Sequence, residues 1–245
     1  MNLPLLPLPD MSIVIPIFNE AEILERALKE LVERLELFGW NYEIVLAENG
    51  SRDGTQELAA RLASASPRVR VLHTGEPNYG RALKEGIIVA RGPVVFCDEI
   101  DLCDTDFHAR ALALLEANNA DLIVGSKVAG GARDRRPLVR RLGTLSYTTL
   151  LRVLLGFRGT DTHGPKAFRR AKLLPVVDSC VVDRDVFASE LVIRASRANL
   201  RVVELPIGVA EKRPPSIHWW RRIPHVLSRL WRLNRALRAQ RDPSL

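Results

Sequence analysis

The stretch VVFCDEIDLCD, residues 94–104, sets an apolar run against four carboxylates: Asp98, Glu99, Asp101 and Asp104. Carboxylates gathered after one strand repel each other and any phosphate unless a divalent cation lies between them. Mg2+ and Mn2+ favour oxygen ligands, commonly one or two carboxylates together with the phosphates of a bound molecule. Polar groups also follow two earlier apolar runs: Asn19 and Glu20 after MSIVIPIF, Glu48 and Asn49 at the end of YEIVLAE. An acidic edge of this kind suits a metal-bridged nucleoside diphosphate better than a bare anion. Some of these acids have simpler uses. Asp104 and Asp106 suit the N-terminus of the following helix, where negative charge is favourable, and Asp53 with Gln56 suits a helix cap. Asn19 with Glu22 makes a capping pair for its helix, which is compatible with ligand contact.

The elements that must position these residues alternate. MSIVIPIF, YEIVLAE, RVRVLHT, GPVVFC and ADLIVGSK read as short buried strands. Between them, NEAEILERALKELVERLELF, TQELAARLAS, YGRALKEGIIVAR and DFHARALALLEANN have helical spacing. Such alternation predicts an α/β fold, a mostly parallel central sheet with helices on both faces, and ligands bound beyond the carboxyl ends of the strands. Past Ala132 the pattern changes. RDRRPLVRRLGTLSYTTLLRVLLGF starts basic and becomes a long apolar helix. GTDTHGPKAFRR reads as a polar loop, DVFASELVIRASRANL as a helix, RVVELPIGVAE as a strand and the tail as one basic helix.

The totals exclude several classes. The chain has 245 residues, enough for one large domain, and three cysteines, too few for a disulfide framework. There is no G-x-G-x-x-G after the first strand and no G-x-x-x-x-G-K-[ST], which argues against a Rossmann site and a P-loop. The opening MNLPLLPLPD is broken by three prolines, so it reads as neither signal peptide nor span, and a cytoplasmic protein is expected. Residues 211–245 hold nine Lys/Arg against two Asp/Glu, which accounts for the whole net charge of +7. Ile223, Val226, Leu227, Leu230, Leu233 and Leu237 recur there at helical spacing, with Trp219, Trp220 and Trp231 nearby. Two readings of this tail stand: a helix packed on its own domain or a partner, and a peripheral contact with the inner face of an anionic membrane. No nucleic-acid motif accompanies the charge, so no nucleic acid is expected as partner.

Taken in order, SIVIPIFNE, ENGSRDGT, NYGRALKEGI and FCDEIDLCDTDF resemble the opening of the family 2 glycosyltransferases with the GT-A fold. Downstream, ADLIVGSK, DTHGPKAF, FASELVIRASRANLRVVELPI and EKRPPSI are similar to segments of the polyprenyl-phosphate mannosyl- and glucosyltransferases of that family. The resemblance runs from Met11 to Ile217. It implies a metal-dependent, inverting transfer of a sugar from a GDP- or UDP-sugar, with Mg2+ or Mn2+, to an acceptor that the downstream loops and basic tail allow to be a lipid phosphate. Residues 1–210 would form the glycosyltransferase domain and 211–245 a basic amphipathic extension.

The same resemblance implies roles for residues. Pro16, Asn19 and Glu20, with Glu48, would hold base and ribose. Asp101 would be the principal metal ligand, paired with Glu99 or Asp98 as first acid. Arg133, Arg136 and Lys166, or a subset, would meet phosphate, with Arg213 and Ser216 near the acceptor. Glu190 stands where relatives with hydroxyl acceptors place a general base, and a phosphate acceptor, already ionised, would need none. His163 is a candidate third metal ligand, set against a loop histidine satisfied by hydrogen bonds. The sequence departs from the pattern at the first acid, in the shortened NYGRALKEG, at Pro165 and at His163. Two other classes remain: a sugar-phosphate nucleotidyltransferase, disfavoured by the lack of a glycine-rich basic first loop, and a non-catalytic nucleotide-sugar or membrane-binding module.

Overall fold

MSIVIPI carries a β-branched residue at almost every other position and is buried along its whole length, forming β1 (Met11–Ile17) at the heart of the molecule. The computed structural model describes residues 7–209 and 223–239. After β1 come α1 (Leu24–Leu37), β2 (Tyr42–Glu48), α2 (Thr55–Ala65), β3 (Val69–His73), α3 (Tyr79–Val89), β4 (Val94–Cys97), α4 (Thr105–Glu116) and β5 (Leu122–Ser126). Then follow β6 (Arg133–Asp134), α5 (Leu138–Leu155), β7 (Lys166–Arg169), α6 (Arg170–Ser179), α7 (Phe187–Arg197), β8 (Val202–Pro206), β9 (Gly208–Val209) and α8 (Ile223–Ala239).

The main sheet has the order β3-β2-β1-β4-β7-β5-β8, and β6 pairs with β9 in a small second sheet. All pairings in the main sheet are parallel except those of β7, which runs antiparallel to β4 and β5. The chain therefore departs in two directions from β1, to β2 on one side and β4 on the other. That is a topological switch point, where open α/β sheets form a crevice at their carboxyl ends. Pro16 widens the opening. Val14 O accepts from Asp98 N on the β4 side, and Ile17 O accepts from Asn49 N on the β2 side. By strand alternation the missing N–H of Pro16 faces β4, whose pairing with β1 has ended at Val14. A proline is tolerated in this central strand because no partner remains there to bond.

Side-chain alternation divides the core into two layers. Ile13, Ile15, Ile44, Leu46 and Phe96 face α1, α2 and α4, where Leu24, Leu28, Leu31, Leu35, Phe107 and Leu115 pack. Val14, Val45, Val95 and Cys97 face α3, α5, α6, α7 and α8. Leu230, Leu233 and Leu237 of α8 belong to this second layer, so the tail helix spends its apolar seam on the body of the protein. The expected boundary at residue 210 falls in a segment outside the described residues. Among those described, no helix is long and apolar enough to cross a membrane.

One element differs from the sequence expectation and another is not anticipated by it. Lys166–Arg169, read as loop, is a strand wedged between β4 and β5. Residues 170–179 form a helix despite Pro175. The proline is the sixth residue of α6, past the first turn, where its missing N–H costs one helical bond.

Asp121, just ahead of β5, ties three elements together. Its carboxylate accepts from Arg201 N, Nε and Nη2 and from Lys172 Nζ. The Arg201 bonds, opposed by burial and aided by Lys172, hold the carboxyl well below the ordinary carboxylate range. A depressed folded-state pKa contributes stability above the unfolded value of about 3.9 and loses it as pH falls below that value. In urea unfolding, Asp121→Asn should be less stable near neutrality, and its stability should fall less steeply than the native protein's between about pH 5 and pH 2.

Candidate active site

Two loops close the β2 side of the switch point by bonding to each other. Asn19, in the left-handed region at φ 54°, donates its N–H to Ser51 Oγ (3.0 Å) and accepts from Arg52 N through Oδ1 (2.9 Å). Glu20 N donates to Thr55 Oγ1 and Ala21 N to Asp53 Oδ2. Asn19 is thus a bridge between loops and not the cap of α1, whose N-cap residue, Ile23, makes no side-chain bond. Asp53 also accepts from Thr55 N, while Gln56 donates to Ser51 O; the N-cap of α2 is Gly54, so the pair expected as a cap braces the preceding loop instead.

Glu48 lies beneath this seam, 1% exposed, accepting from Ser51 N (2.6 Å) and facing His73 Nδ1 (3.3 Å). Burial raises its carboxyl, but the bonds from Ser51 and His73 prevail and hold it below the ordinary range. Its carboxylate is occupied within the protein, so Glu48 shapes the loop after β2 from below. Asn49 carries the chain onward, accepting from Asn78 N, which starts α3.

On the β4 side the four acids separate. Asp98 is buried, and both its oxygens are taken: Oδ1 accepts from Glu99 N (2.8 Å) and Oδ2 from His108 Nε2 (2.8 Å). Both side chains of that pair are sealed from solvent. Asp104 caps α4 by accepting from Phe107 N, as expected. Glu99 and Asp101 project from the turn between them.

Glu99 is exposed at the rim of a cavity of about 140 Å³ lined with Pro16, Glu20, Asn49, Tyr79 and Ile100. The cavity walls strip hydration from its carboxyl, and Asp101 and Asp98 repel its charge. These effects raise it above the ordinary range against the pull of Lys127 and Lys166. Tyr79 is pushed up too, by burial first and then by Glu99 and the neighbouring acids. Asp101, half-buried, borders a separate cavity of about 740 Å³ beside Glu22, Arg26 and Arg34 of the α1 region.

This crowding of negative charge is the condition that a divalent cation relieves. Glu99 and Asp101 are the residues that would hold one. Among the described residues no three His, Cys, Asp or Glu side chains converge on a metal position. Two carboxylates fit Mg2+ or Mn2+ when a ligand's phosphates complete the shell. His163 does not complete a triad. It is exposed, its ring edge-on to Tyr147 and its Nδ1 near Thr162 Oγ1.

Three residues expected at phosphate or as base are engaged elsewhere. Lys166 is 2% exposed on β7, with Nζ donating to Gly164 O; burial lowers its pKa despite Cys97, Asp161 and Glu99 around it. Arg136 makes a two-pronged pair with Asp134 through Nε (2.9 Å) and Nη2 (2.8 Å). Glu190 is fully buried, accepting from Val181 N, Val182 N and Arg194 Nε, so it fixes a loop and has no path to a substrate proton. Arg133 remains exposed. It lines a cavity of about 350 Å³ with Lys127, Arg135 and Arg141. Arg213 and Ser216 lie outside the described residues.

Sequence reasoning missed Lys127, Tyr79 and Asp161. Lys127 follows β5 directly, 3.9 Å from Asp161, whose carboxyl burial would raise but Lys127 and the His163 N–H hold low. The signal for Lys127 was present in its position, immediately after a strand whose carboxyl end faces the site.

The order of strands and the switch-point crevice at their carboxyl ends are those of the GT-A glycosyltransferase architecture. The chain belongs to glycosyl transferase family 2, whose family model matches residues 12–176. It is similar to glycosyltransferase AglD of Haloferax volcanii, 30% identical over 203 residues covering 81% of this chain and 32% of that protein. It is also similar to polyprenol monophosphomannose synthase of Mycolicibacterium smegmatis, 34% identical over 210 residues covering 82% of this chain and 77% of that one. The chain thus spans under a third of the first relative and over three quarters of the second. A solved structure of glucosyl-3-phosphoglycerate synthase from Mycobacterium tuberculosis, in complex with Mn2+, uridine diphosphate and glucosyl-3-phosphoglycerate, has the same fold. Its TM-score is 0.60 at 20% identity, covering 93% of this chain and 76% of that one.

The division between Asp98 and Asp101 has a measurable consequence. Asp98→Ala leaves a buried histidine without its partner and should cost about 2–3 kcal/mol of stability. Asp101→Ala, at a half-exposed position, should change stability by under about 1 kcal/mol. Urea unfolding of both variants reads the difference; equal losses would contradict it.

Proposed function

We propose that this protein transfers a sugar from a nucleoside diphosphate sugar to a phosphate-bearing lipid acceptor, inverting the anomeric centre, with Mn2+ or Mg2+ as cofactor. The observation that carries this reading is the partition of charge along the carboxyl edge of the sheet. Acids crowd the β1/β4 crevice, and Lys127, Arg133, Arg135 and Arg141 gather around a cavity past β5. A cation on Glu99 and Asp101 would neutralise the departing diphosphate, the main electrostatic demand of such a reaction. In this assignment Glu99, not Asp98, is the partner of Asp101.

The donor side is built for a nucleotide. Pro16, Glu20, Asn49 and Tyr79 border the crevice, and the Asn19–Ser51 and Glu20–Thr55 bonds hold its rim in place before any ligand arrives. Such preorganisation limits the ordering cost of binding. The acceptor side is cationic. The burial of Glu190 supports a phosphate as nucleophile, because an ionised phosphate oxygen attacks without a base. The relative named as a polyprenol monophosphomannose synthase points to the same acceptor class, and the solved neighbour with Mn2+ and uridine diphosphate points to the same donor chemistry.

Thermal stabilisation tests the donor half. GDP or UDP should raise the melting temperature with Mn2+ present and much less without it. Asp101→Ala should remove the metal-dependent part. A nucleotide shift indifferent to Mn2+, or no shift with any nucleotide, would overturn the metal-bridged reading.

A further inference from the structure

Helix α5 presents an apolar face to solvent, on the side opposite the one it buries. Thr148, Leu151 and Leu155, spaced three and four residues apart, turn into the core. Leu138, Leu142 and Leu145 repeat at the same helical spacing on the other side, with Val139 beside them and Val153 two turns further on, past Thr149. They are left open: Leu138 is 70% exposed, Leu142 62% and Val153 78%. Isolated exposed leucines are ordinary, but a cluster of them along the first turns of one helix marks an interaction surface. On α8 the situation is reversed. Leu230, Leu233 and Leu237 are buried, and among the described side chains of α8 only Leu227 and Trp231 remain as large exposed apolar groups.

The charges around the row select its partner. Exposed Arg133, Arg135, Arg140 and Arg141 stand at the N-terminal end of α5, and the helix itself contains no Asp or Glu. The acid beside them, Asp134, is already held by Arg136. A second copy of this chain would bring like charges together, because a two-fold contact sets the same patch against itself. The chain's own residues 210–222 carry Lys212, Arg213, Arg221 and Arg222 against Glu211 alone, which is again the wrong sign. A surface of anionic lipid satisfies both features, taking the leucines into its acyl boundary and the arginines at its phosphates.

We propose that the exposed face of α5, and not the tail helix α8, docks this protein on an anionic membrane surface. The cationic cavity that Arg133 lines is shared with Arg141 and Leu145 of this helix. Docking there would set the cavity at the level of lipid headgroup phosphates. The inference rests on and deepens the lipid-acceptor reading, but vesicle binding is read without donor or acceptor, so the two can fail separately: binding can hold where transfer to a soluble acceptor is absent.

The full chain is sedimented with phosphatidylcholine vesicles containing or lacking phosphatidylglycerol. The native protein should bind the anionic vesicles, and less as salt rises. The double variant Leu138→Asp/Leu142→Asp should bind at least roughly tenfold more weakly, with an unchanged melting temperature because both positions are exposed. Trp231→Ala should bind like the native protein. With a water-soluble short-chain polyprenyl phosphate the double variant should keep its transferase activity and lose it only on vesicle-borne acceptor. Absence of native binding, undiminished binding by the double variant, or loss confined to Trp231→Ala would each overturn the proposal. So would a dimer that dissociates on Leu138→Asp/Leu142→Asp while vesicles remain unbound.

Discussion

The hydrogen bond between Asp98 and His108 sets the geometry on which the rest of the site depends. It is 2.8 Å long and sealed from water, and it joins the end of β4 to the first turns of α4. A carboxylate in such a place is costly unless fully bonded, and this one is, by His108 and by the N–H of Glu99. With Asp98 committed inward, the chain must turn before Asp104 can cap α4. Glu99 and Asp101 sit on that turn, each bordering a cavity beside it. The acids proposed to hold the metal are thus set apart by the one that is bonded inward.

The same economy recurs on the neighbouring strand. Glu48 spends its charge on the backbone of Ser51, and Ser51 in turn receives the N–H of Asn19. Polar groups that look available in the sequence prove to be the framework that fixes loop shape, while less conspicuous neighbours such as Tyr79 and Lys127 line the open space. Buried charge in this protein organises exposed charge: Lys166 and Asp161 lie beneath the surface where Glu99 and Lys127 emerge. The result is a sheet edge that is acidic at the switch point and basic beyond β5. In the proposed reaction, donor diphosphate and acceptor phosphate would meet across that gradient without a proton having to be removed.

Much of this was legible from residue order. The alternation of apolar runs and helical spacing predicts the parallel sheet, with YEIVLAE coinciding with β2, and Asp104 reads correctly as a cap. What sequence could not supply was pairing. KAFR is a strand only because β4 and β5 leave a gap that an antiparallel segment fills. Nothing local to Arg136, Lys166 or Glu190 reveals that each is consumed by Asp134, by Gly164 O, or by Arg194 and the backbone of residues 181–182. Nor could periodicity decide which of two amphipathic helices would be packed away. α8 has the stronger basic pattern, yet its seam is inside and the outer row of α5 is outside.

The central claim is that Asp98 is a structural acid and that Glu99 and Asp101 are the ligand-bearing pair. Crystals grown with Mn2+ and a nucleoside diphosphate test it most directly, through the anomalous signal of the metal. A peak within coordination distance of the Asp101 carboxylate, with Asp98 still bonded to His108, is the predicted result. A peak on Asp98, with the bond to His108 broken, would contradict it.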